Sequence, residues 1–306
     1  MMEKMTETIG FIGLGAMGNP MSRRLLAAGY TLIVFDKRKE TVDALLREGA
    51  GEAHSPVEMA GKANRIITML PDSQAVEEVV LGPQGIIQSF APGSILMEMS
   101  TSSPYSNRMI AQALEEKGID MLDAPVSGGV WGAGAGELTI MVGGKKDVLE
   151  KVRPILACLG SKIFHLGIHG NGNIAKLLNN LLSASLQSAS SEALMVGLKA
   201  GLPLDTFLDV LRSGSGKNYS VEMKIPNFVL PGKFSPGFAI DLMNKDLDLA
   251  MEVARLAGVP VPCGALAQQI YRLARSEGLG QNDTSAVIRI WEKWTKMEAR
   301  SASEQR

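Results

Sequence analysis

Apolar and polar positions along this chain fall into two regimes. In the first half, short apolar runs alternate with segments of helical spacing. Thr8–Ile12 is a β-rich run that ends at Gly13. Residues 17–28 put Met17, Met21 and Leu25 on one stripe and stop at Gly29, which predicts a helix. Thr31–Phe35 is a second apolar strand, closed by Asp36. A helix is predicted over 39–48, a strand over 65–69, and a helix from Ser73 after Leu70-Pro71-Asp72. A strand over 94–99, a helix over 104–117 and a strand over 121–124 follow. Strands apolar almost throughout, alternating with helices, predict a parallel, doubly wound α/β sheet.

The second half is helical in period over 173–199, 204–211, 245–256 and 263–277, and strand-like runs are scarce. An all-α domain is predicted from about Gly170, dividing the chain into residues 1–169 and 170–306. The run from 174 to 199 exceeds an average surface helix and is predicted to be the spine joining the two domains. The polar tail, 299–306, is predicted to be frayed.

Composition agrees with two ordinary globular domains. The chain has 306 residues, 45% hydrophobic and 21% charged, enough apolar material for a sizeable core. Lys plus Arg is 31 and Asp plus Glu is 32, a net charge of −1. Such balance excludes a bulk nucleic-acid footprint or polybasic membrane anchor. The two cysteines, Cys158 and Cys263, form no Cys-x-x-Cys or zinc spacing. A reducing cytoplasm is the expected location. No signal peptide, membrane span or internal repeat is expected.

The first strand runs into Gly13-Leu14-Gly15-Ala16-Met17-Gly18, a Gly-x-Gly-x-x-Gly pattern that opens the first helix. Asp36 follows Gly13 by 23 residues, at the end of the second strand. Strand, glycine turn, helix and distant acid together make the dinucleotide fingerprint. Gly13 permits the turn, Gly15 lets the backbone approach a pyrophosphate, and Gly18 lets the helix pack close to the strand. Asp36 accepts from the adenosine-ribose hydroxyls and favours NAD over NADP. Lys37 and Arg38 keep NADP possible, as cations able to swing to a 2′-phosphate, or are solvated charges starting a helix.

Four motifs in order make the chain resemble the β-hydroxyacid dehydrogenases, from Ile9 to about Trp294. They are Gly-Phe-Ile-Gly-Leu-Gly-Ala-Met-Gly at 10–18 and Asp-Ala-Pro-Val-Ser-Gly-Gly at 123–129, with Gly132, Ala133 and Gly136 beyond. Gly-Asn-Gly-Asn-Ile-Ala-Lys-Leu-Leu-Asn-Asn at 170–180 and Lys245-Asp246-Leu247 complete the set. The resemblance implies a Rossmann-like domain, a helical C-terminal domain and NAD-linked interconversion of a small 3-hydroxy acid and its semialdehyde. A homodimer or homotetramer is also implied.

Within that resemblance, Lys176 falls at the catalytic lysine. By sequence alone, a lysine in an apolar stretch reads as a snorkelling surface residue. Asn180, four residues on, shares its helix face and either orients the lysine and the reacting oxygen or bonds another helix. Ser127, Gly128 and Gly129 are where the substrate carboxylate would sit; alone they are an ordinary Gly-Gly turn. Thr101 is implied to lie near the nicotinamide ribose and substrate, Leu70 and Pro71 to line the adenine side, and Lys245 to contact the cofactor. Glu98 stands where the family usually has Asp. Asp246 either anchors Lys245 or caps a helix N-terminus.

Lys217 or Tyr219, in a glycine-rich loop, is a candidate reader of the distal part of the substrate, against plain loop solvation. Trp131 either caps the pocket or packs. His165 and His169 lack further ligands at fitting spacing, so no metal is expected, and with His54 they complete the histidines. The 17 methionines read as core filler. An imine reductase-like enzyme and a non-catalytic dinucleotide-binding module are the alternatives; Lys176 argues against both.

Overall fold

The computed structural model describes residues 7–235 and 237–301. It divides into two compact units, one up to Lys176 and one from Leu177 onward. The division falls inside a single helix, seven residues beyond the boundary expected at 169/170.

In the first unit the chain alternates as its hydrophobic pattern requires. The order is β1 (Thr8–Ile12), α1 (Gly18–Ala27), β2 (Thr31–Phe35), α2 (Lys39–Leu46), β3 (Gly51–Glu52), α3 (Pro56–Ala60) and β4 (Arg65–Thr68). Then come α4 (Ser73–Leu81), β5 (Ile95–Glu98), α5 (Pro104–Glu115), β6 (Asp120–Asp123), β7 (Val126–Ser127) and α6 (Gly129–Ala135). β8 (Thr139–Gly144), α7 (Lys146–Ala157) and β9 (Lys162–His165) lead to α8 (Asn171–Lys199). The sheet order is β3-β2-β1-β4-β5-β6-β8-β7, with β9 paired to β8. From β3 to β6 all neighbours are parallel; β8 runs antiparallel to β6 and β7.

Both faces of the sheet are covered, which is why its strands read as continuous apolar runs. Phe11, Val34, Ile67 and Met97 enter one core cluster, while their chain neighbours Ile12, Ile66 and Leu96 enter another. The chain winds outward from β1 through β2 and β3, then returns to β4 on the other side of β1. That reversal opens a crevice at the carboxyl ends of β1 and β4, where doubly wound sheets bind ligands.

Several elements lie outside the sequence expectation. β3 is two residues long, and α3 is a five-residue turn capped by Ser55, whose side chain accepts from the Glu58 N–H. β8 ends in Gly143-Gly144, which hides its strand character. α7 also lies outside the expectation, although Val148, Leu149, Val152, Ile155 and Leu156 form a buried stripe along it, with Pro154 inside the helix.

The second unit is helical, as expected. After α8 come α9 (Leu204–Ser213), a wide helical segment Ser220–Val229, α10 (Ile240–Ala257), α11 (Pro262–Ala274), a tight turn Thr284–Ile288 and α12 (Arg289–Thr295). Tyr271, Ile240, Leu247, Ile225 and Val229 are buried at its centre. Asp283 ties loops to this core. Its carboxylate receives the Lys224 ammonium at 2.8 Å, the N–H groups of Gly237, Phe238 and Ser285, and the Ser285 hydroxyl.

The start of the tail is not frayed. Ala299 is buried, its N–H donates to Glu292, and Arg300 pairs with Glu292 at 2.6 Å. An internal carboxylate near 299 anchors a stretch that composition alone read as loose; residues 302–306 lie outside the described residues. Among the described residues, no helix is long and apolar enough to cross a membrane.

Candidate active site

The glycine loop after β1 is built as its spacing requires. Gly13 has φ +96°, open to glycine but strained for other residues, and a Cβ there would collide with the Met69 carbonyl after β4. A Cβ on Gly18 would collide with the Gly13 carbonyl, so α1 packs against its own entry turn. Gly15 differs: its Cβ position faces only the Arg38 guanidinium, at 3.7 Å. Leu14, Ala16 and Met17 complete the loop, and no side chain caps α1. Open space over Gly15 and an uncapped helix start fit a pyrophosphate.

Asp36 ends β2 facing this loop. Its Oδ2 accepts the Leu14 N–H at 2.6 Å, fixing the turn. Arg38 reaches back to the same carboxylate at 3.1 Å, and its N–H donates to Oδ1 at 2.8 Å. Burial alone would raise the Asp36 carboxyl, but the Arg38 and Leu14 hydrogen bonds and the Arg38 charge outweigh it and hold it below its usual range. Lys37 instead pairs with Glu78 at 3.3 Å on the surface.

The ends of β4, β5 and β6 carry a buried polar circuit. The Leu70 N–H donates to Ser100 Oγ at 2.8 Å, which sets the turn containing Pro71. Thr101 lies between two serines that bond Glu98: the Ser100 N–H at 2.7 Å and the Ser102 hydroxyl at 3.0 Å. Asp123, beside Glu98 on β6, accepts the Gly170 N–H at 2.7 Å and the Asn173 N–H at 3.0 Å. Glu98 was noticed in the sequence only as a departure from the family. Asp123 and Asn173 lie inside the 123–129 and 170–180 motifs, which give them no role of their own. Their signal was a polar residue at an otherwise apolar strand or helix end.

Ser127 ends β7, and Gly128 and Gly129 follow with φ +135° and +64°. These conformations require glycine and begin α6. Trp131, on that helix, is 75% exposed rather than packed. Lys176 lies in the second turn of α8 and is only 8% exposed, so the snorkelling reading is set aside.

In the second unit, Asn180 is buried and donates from Nδ2 to Asp246 Oδ2 at 2.6 Å. Asp246 also pairs with Lys245 at 3.1 Å. It is the seventh residue of α10, so the N-terminal capping reading is replaced by an anchoring one. Lys217 pairs with Glu222 at 3.0 Å on the surface, and Tyr219 is exposed nearby in sequence.

His165 Nε2 lies 2.8 Å from the Gly144 carbonyl and His169 Nε2 lies 2.9 Å from the Met121 carbonyl. A carbonyl only accepts, so each nitrogen carries the hydrogen. Among the described residues, no three His, Cys, Asp or Glu side chains gather as metal ligands.

Residues 8–167 match the family described as the NAD binding domain of 6-phosphogluconate dehydrogenase. Residues 170–291 match the NAD-binding domain of NADP-dependent 3-hydroxyisobutyrate dehydrogenase. The chain is 43% identical over 287 residues to 2-(hydroxymethyl)glutarate dehydrogenase of Eubacterium barkeri, covering 94% of this chain and 95% of that protein. It belongs to the β-hydroxyacid dehydrogenase family. Other members of this family include the NAD-dependent L-serine dehydrogenase of Pseudomonas aeruginosa, 42% identical over 93% of this chain and 97% of that protein. A solved structure of Mycobacterium tuberculosis 3-hydroxyisobutyrate dehydrogenase with L-serine superposes with TM-score 0.87 at 35% identity, covering 94% of this chain and 99% of that one.

Imine reductases, such as that of Myxococcus stipitatus at 19% identity and TM-score 0.63, share the fold. As a β-hydroxyacid dehydrogenase, the chain is an NAD(P)-dependent oxidoreductase acting on the hydroxyl group of a hydroxy acid.

Proposed function

We propose that this dehydrogenase interconverts a small 3-hydroxy acid bearing a carboxylate with its semialdehyde, with Lys176 as general acid and base. The observation that carries this reading is the burial of Lys176, the one charged side chain in the apolar stretch 174–182 of α8. A nicotinamide held by the glycine turn and Asp36 would supply the hydride chemistry. Lys176 takes the hydroxyl proton in oxidation and returns it to the carbonyl oxygen in reduction. Asn180, its amide oriented by Asp246, holds the reacting oxygen with its second Nδ2 hydrogen. Ser127 and the Gly128 and Gly129 amides hold the substrate carboxylate.

On the cofactor side, the residues from Gly13 to Gly18 receive the pyrophosphate and Asp36 the ribose hydroxyls. Leu70 and Pro71 line the adenine side, Thr101 lies toward the nicotinamide ribose, and Lys245 contacts the cofactor. NAD is the preferred partner, because the Asp36 carboxylate opposes a 2′-phosphate. Lys217 or Tyr219 is held as the reader of the distal substrate group, and residues 1–169 and 170–306 as the two domains. A cytoplasmic homodimer or homotetramer fits an exposed small-and-apolar stripe along α8, comprising Leu178, Leu182, Ala189, Ala193 and Val196.

The deciding experiment is an initial-rate assay at the NADH absorbance band. Purified protein is offered both cofactors and 3-hydroxyisobutyrate, glycerate, serine, dihydroxypropanesulfonate and 2-(hydroxymethyl)glutarate. Turnover of one acid with NAD, lost by at least about a hundredfold in Lys176→Ala with cofactor affinity retained, is the expected result. Near-normal turnover in that variant overturns the role of Lys176.

A further inference from the structure

Glu98 and Asp123 are register partners at the ends of adjacent parallel strands, and neither is exposed. They do not carry independent hydrogen-bond sets. Glu98 holds the Ser100 N–H and the Ser102 hydroxyl; Asp123 holds the Gly170 and Asn173 N–H groups at the start of α8. The Ser102 N–H donates to Asn173 Oδ1 at 2.9 Å, joining the two sets. Asn107 Nδ2 donates to Ser102 Oγ at 3.0 Å and braces the link from α5. The backbone leaves room for this junction: a Cβ on Gly172 would come 2.9 Å from Asp123 Oδ2.

We infer that Glu98 and Asp123 act as a paired set of positioning residues: Asp123 anchors the first turn of α8, and Glu98 holds the Thr101 segment to it. The inference rests on the proposed role of Lys176, three residues beyond Asn173. An ionised Asp123 suits the free N–H groups and positive end of the helix it meets. A second charge on the adjacent strand would be buried beside the first, so the pair is stable with one proton. Burial pushes Glu98 to about 7, with the Asp123 charge adding to the rise, and burial pushes Asp123 to about 6.

The charged or titratable groups on the elements beside the pair include His169 in the connection to α8, Arg108 on α5 and Lys176 on α8. His169 favours the ionised Asp123. Arg108 is held by the His169 carbonyl at 2.9 Å and stacks on Tyr105. When Glu98 ionises, the Ser102–Asn173 link is the point that loosens, and the start of α8 loosens with it.

Hydrogen exchange of the peptide spanning 170–176 in the full-length enzyme tests this from pH 5.5 to 8.5, corrected for intrinsic exchange. Protection in the native enzyme is expected to fall about tenfold across the upper half of that range, with no such fall in Glu98→Gln. Asp123→Asn is expected to lose that protection at every pH and to lower kcat about tenfold, with NAD affinity changed less than about twofold. Parallel exchange profiles in the native enzyme and Glu98→Gln, or full protection in Asp123→Asn, overturn the inference. Exchange is read without turnover, so a failure of Lys176 as acid and base stays distinguishable. Should Asp123→Asn fail to fold, Glu98→Gln alone decides through its pH profile.

Discussion

Asn180 Nδ2 and Asp246 Oδ2 are 2.6 Å apart, both buried, on two helices of the second unit. The bond fixes which end of the Asn180 amide faces away from α10: the carbonyl oxygen, which accepts from Asn179 Nδ2 at 3.3 Å. Removing either partner leaves the other with an unmet buried group. Asn180→Ala and Asp246→Ala are each expected to lower kcat about tenfold or more, and the double variant no further than the worse single one. Such non-additivity in a double-mutant cycle is the measurement; simple multiplication of the two losses would separate the residues.

Arg38 spends its guanidinium on Asp36. Removing the carboxylate removes the repulsion of a 2′-phosphate and frees the arginine to meet one. Asp36→Ala is expected to shift the ratio of kcat/KM for NAD over NADP by at least about tenfold toward NADP. The further change Arg38→Ala should reverse that shift, as read by paired cofactor titrations.

Stability should depend on pH through Glu98. Its folded pKa of about 7 lies above the ordinary 4.5, so the folded chain keeps a proton that the unfolded chain gives up. Below about pH 4.5 both states are protonated and nothing is lost. Stability falls as pH rises from there through about 7, then levels, a total of about 3 kcal/mol by linkage. Asp123, raised to about 6, adds a fall of the same sign at lower pH. Urea midpoints of the native chain and Glu98→Gln across pH 4 to 8 measure the difference, which should grow in favour of the variant.

Gly18→Ala is expected to abolish cofactor binding while the second unit stays folded. The added methyl meets the Gly13 carbonyl, which is backbone and cannot step aside without opening the pyrophosphate turn. Calorimetric titration with NAD, alongside circular dichroism, checks both halves. Gly134→Ala, whose Cβ position is open, is the matched control.

Asp283→Ala should destabilise the helical unit by about 2–4 kcal/mol, since it strands the partly buried Lys224 ammonium and several loop N–H groups at once. Thermal melting reads the effect.

How much of this was written in the sequence differs by kind of interaction. Periodicity delivered β1, β2, β4, β5 and β6, and the glycine spacing delivered the turn, because each depends on neighbours within a few residues. β7 to β9 escaped because Gly143 and Gly144 break the apolar run and the pairing is long-range. The same holds for the site. Asp36 is placed by its distance from the glycine turn, but Arg38 on its carboxylate is neither of the two open readings, a cation for a 2′-phosphate or a solvated charge starting a helix. The Asp123 contacts with Gly170 and Asn173 span 47 and 50 residues, a distance over which no local pattern carries information.

Trp131 gives the enzyme an optical property. It is the one tryptophan among the described residues of the first unit, and it stands in water beside Ser127 and Gly128. Trp291 and Trp294 lie in the second unit with ring centroids 6.2 Å apart, edge to face. The two populations therefore emit from different surroundings. Soluble iodide reaches both Trp131 and the exposed Trp294, so the part of the quenching lost in Trp131→Phe reports on the glycine turn and the remainder on the helical unit. The native chain is thus its own fluorescent reporter, with no dye attached.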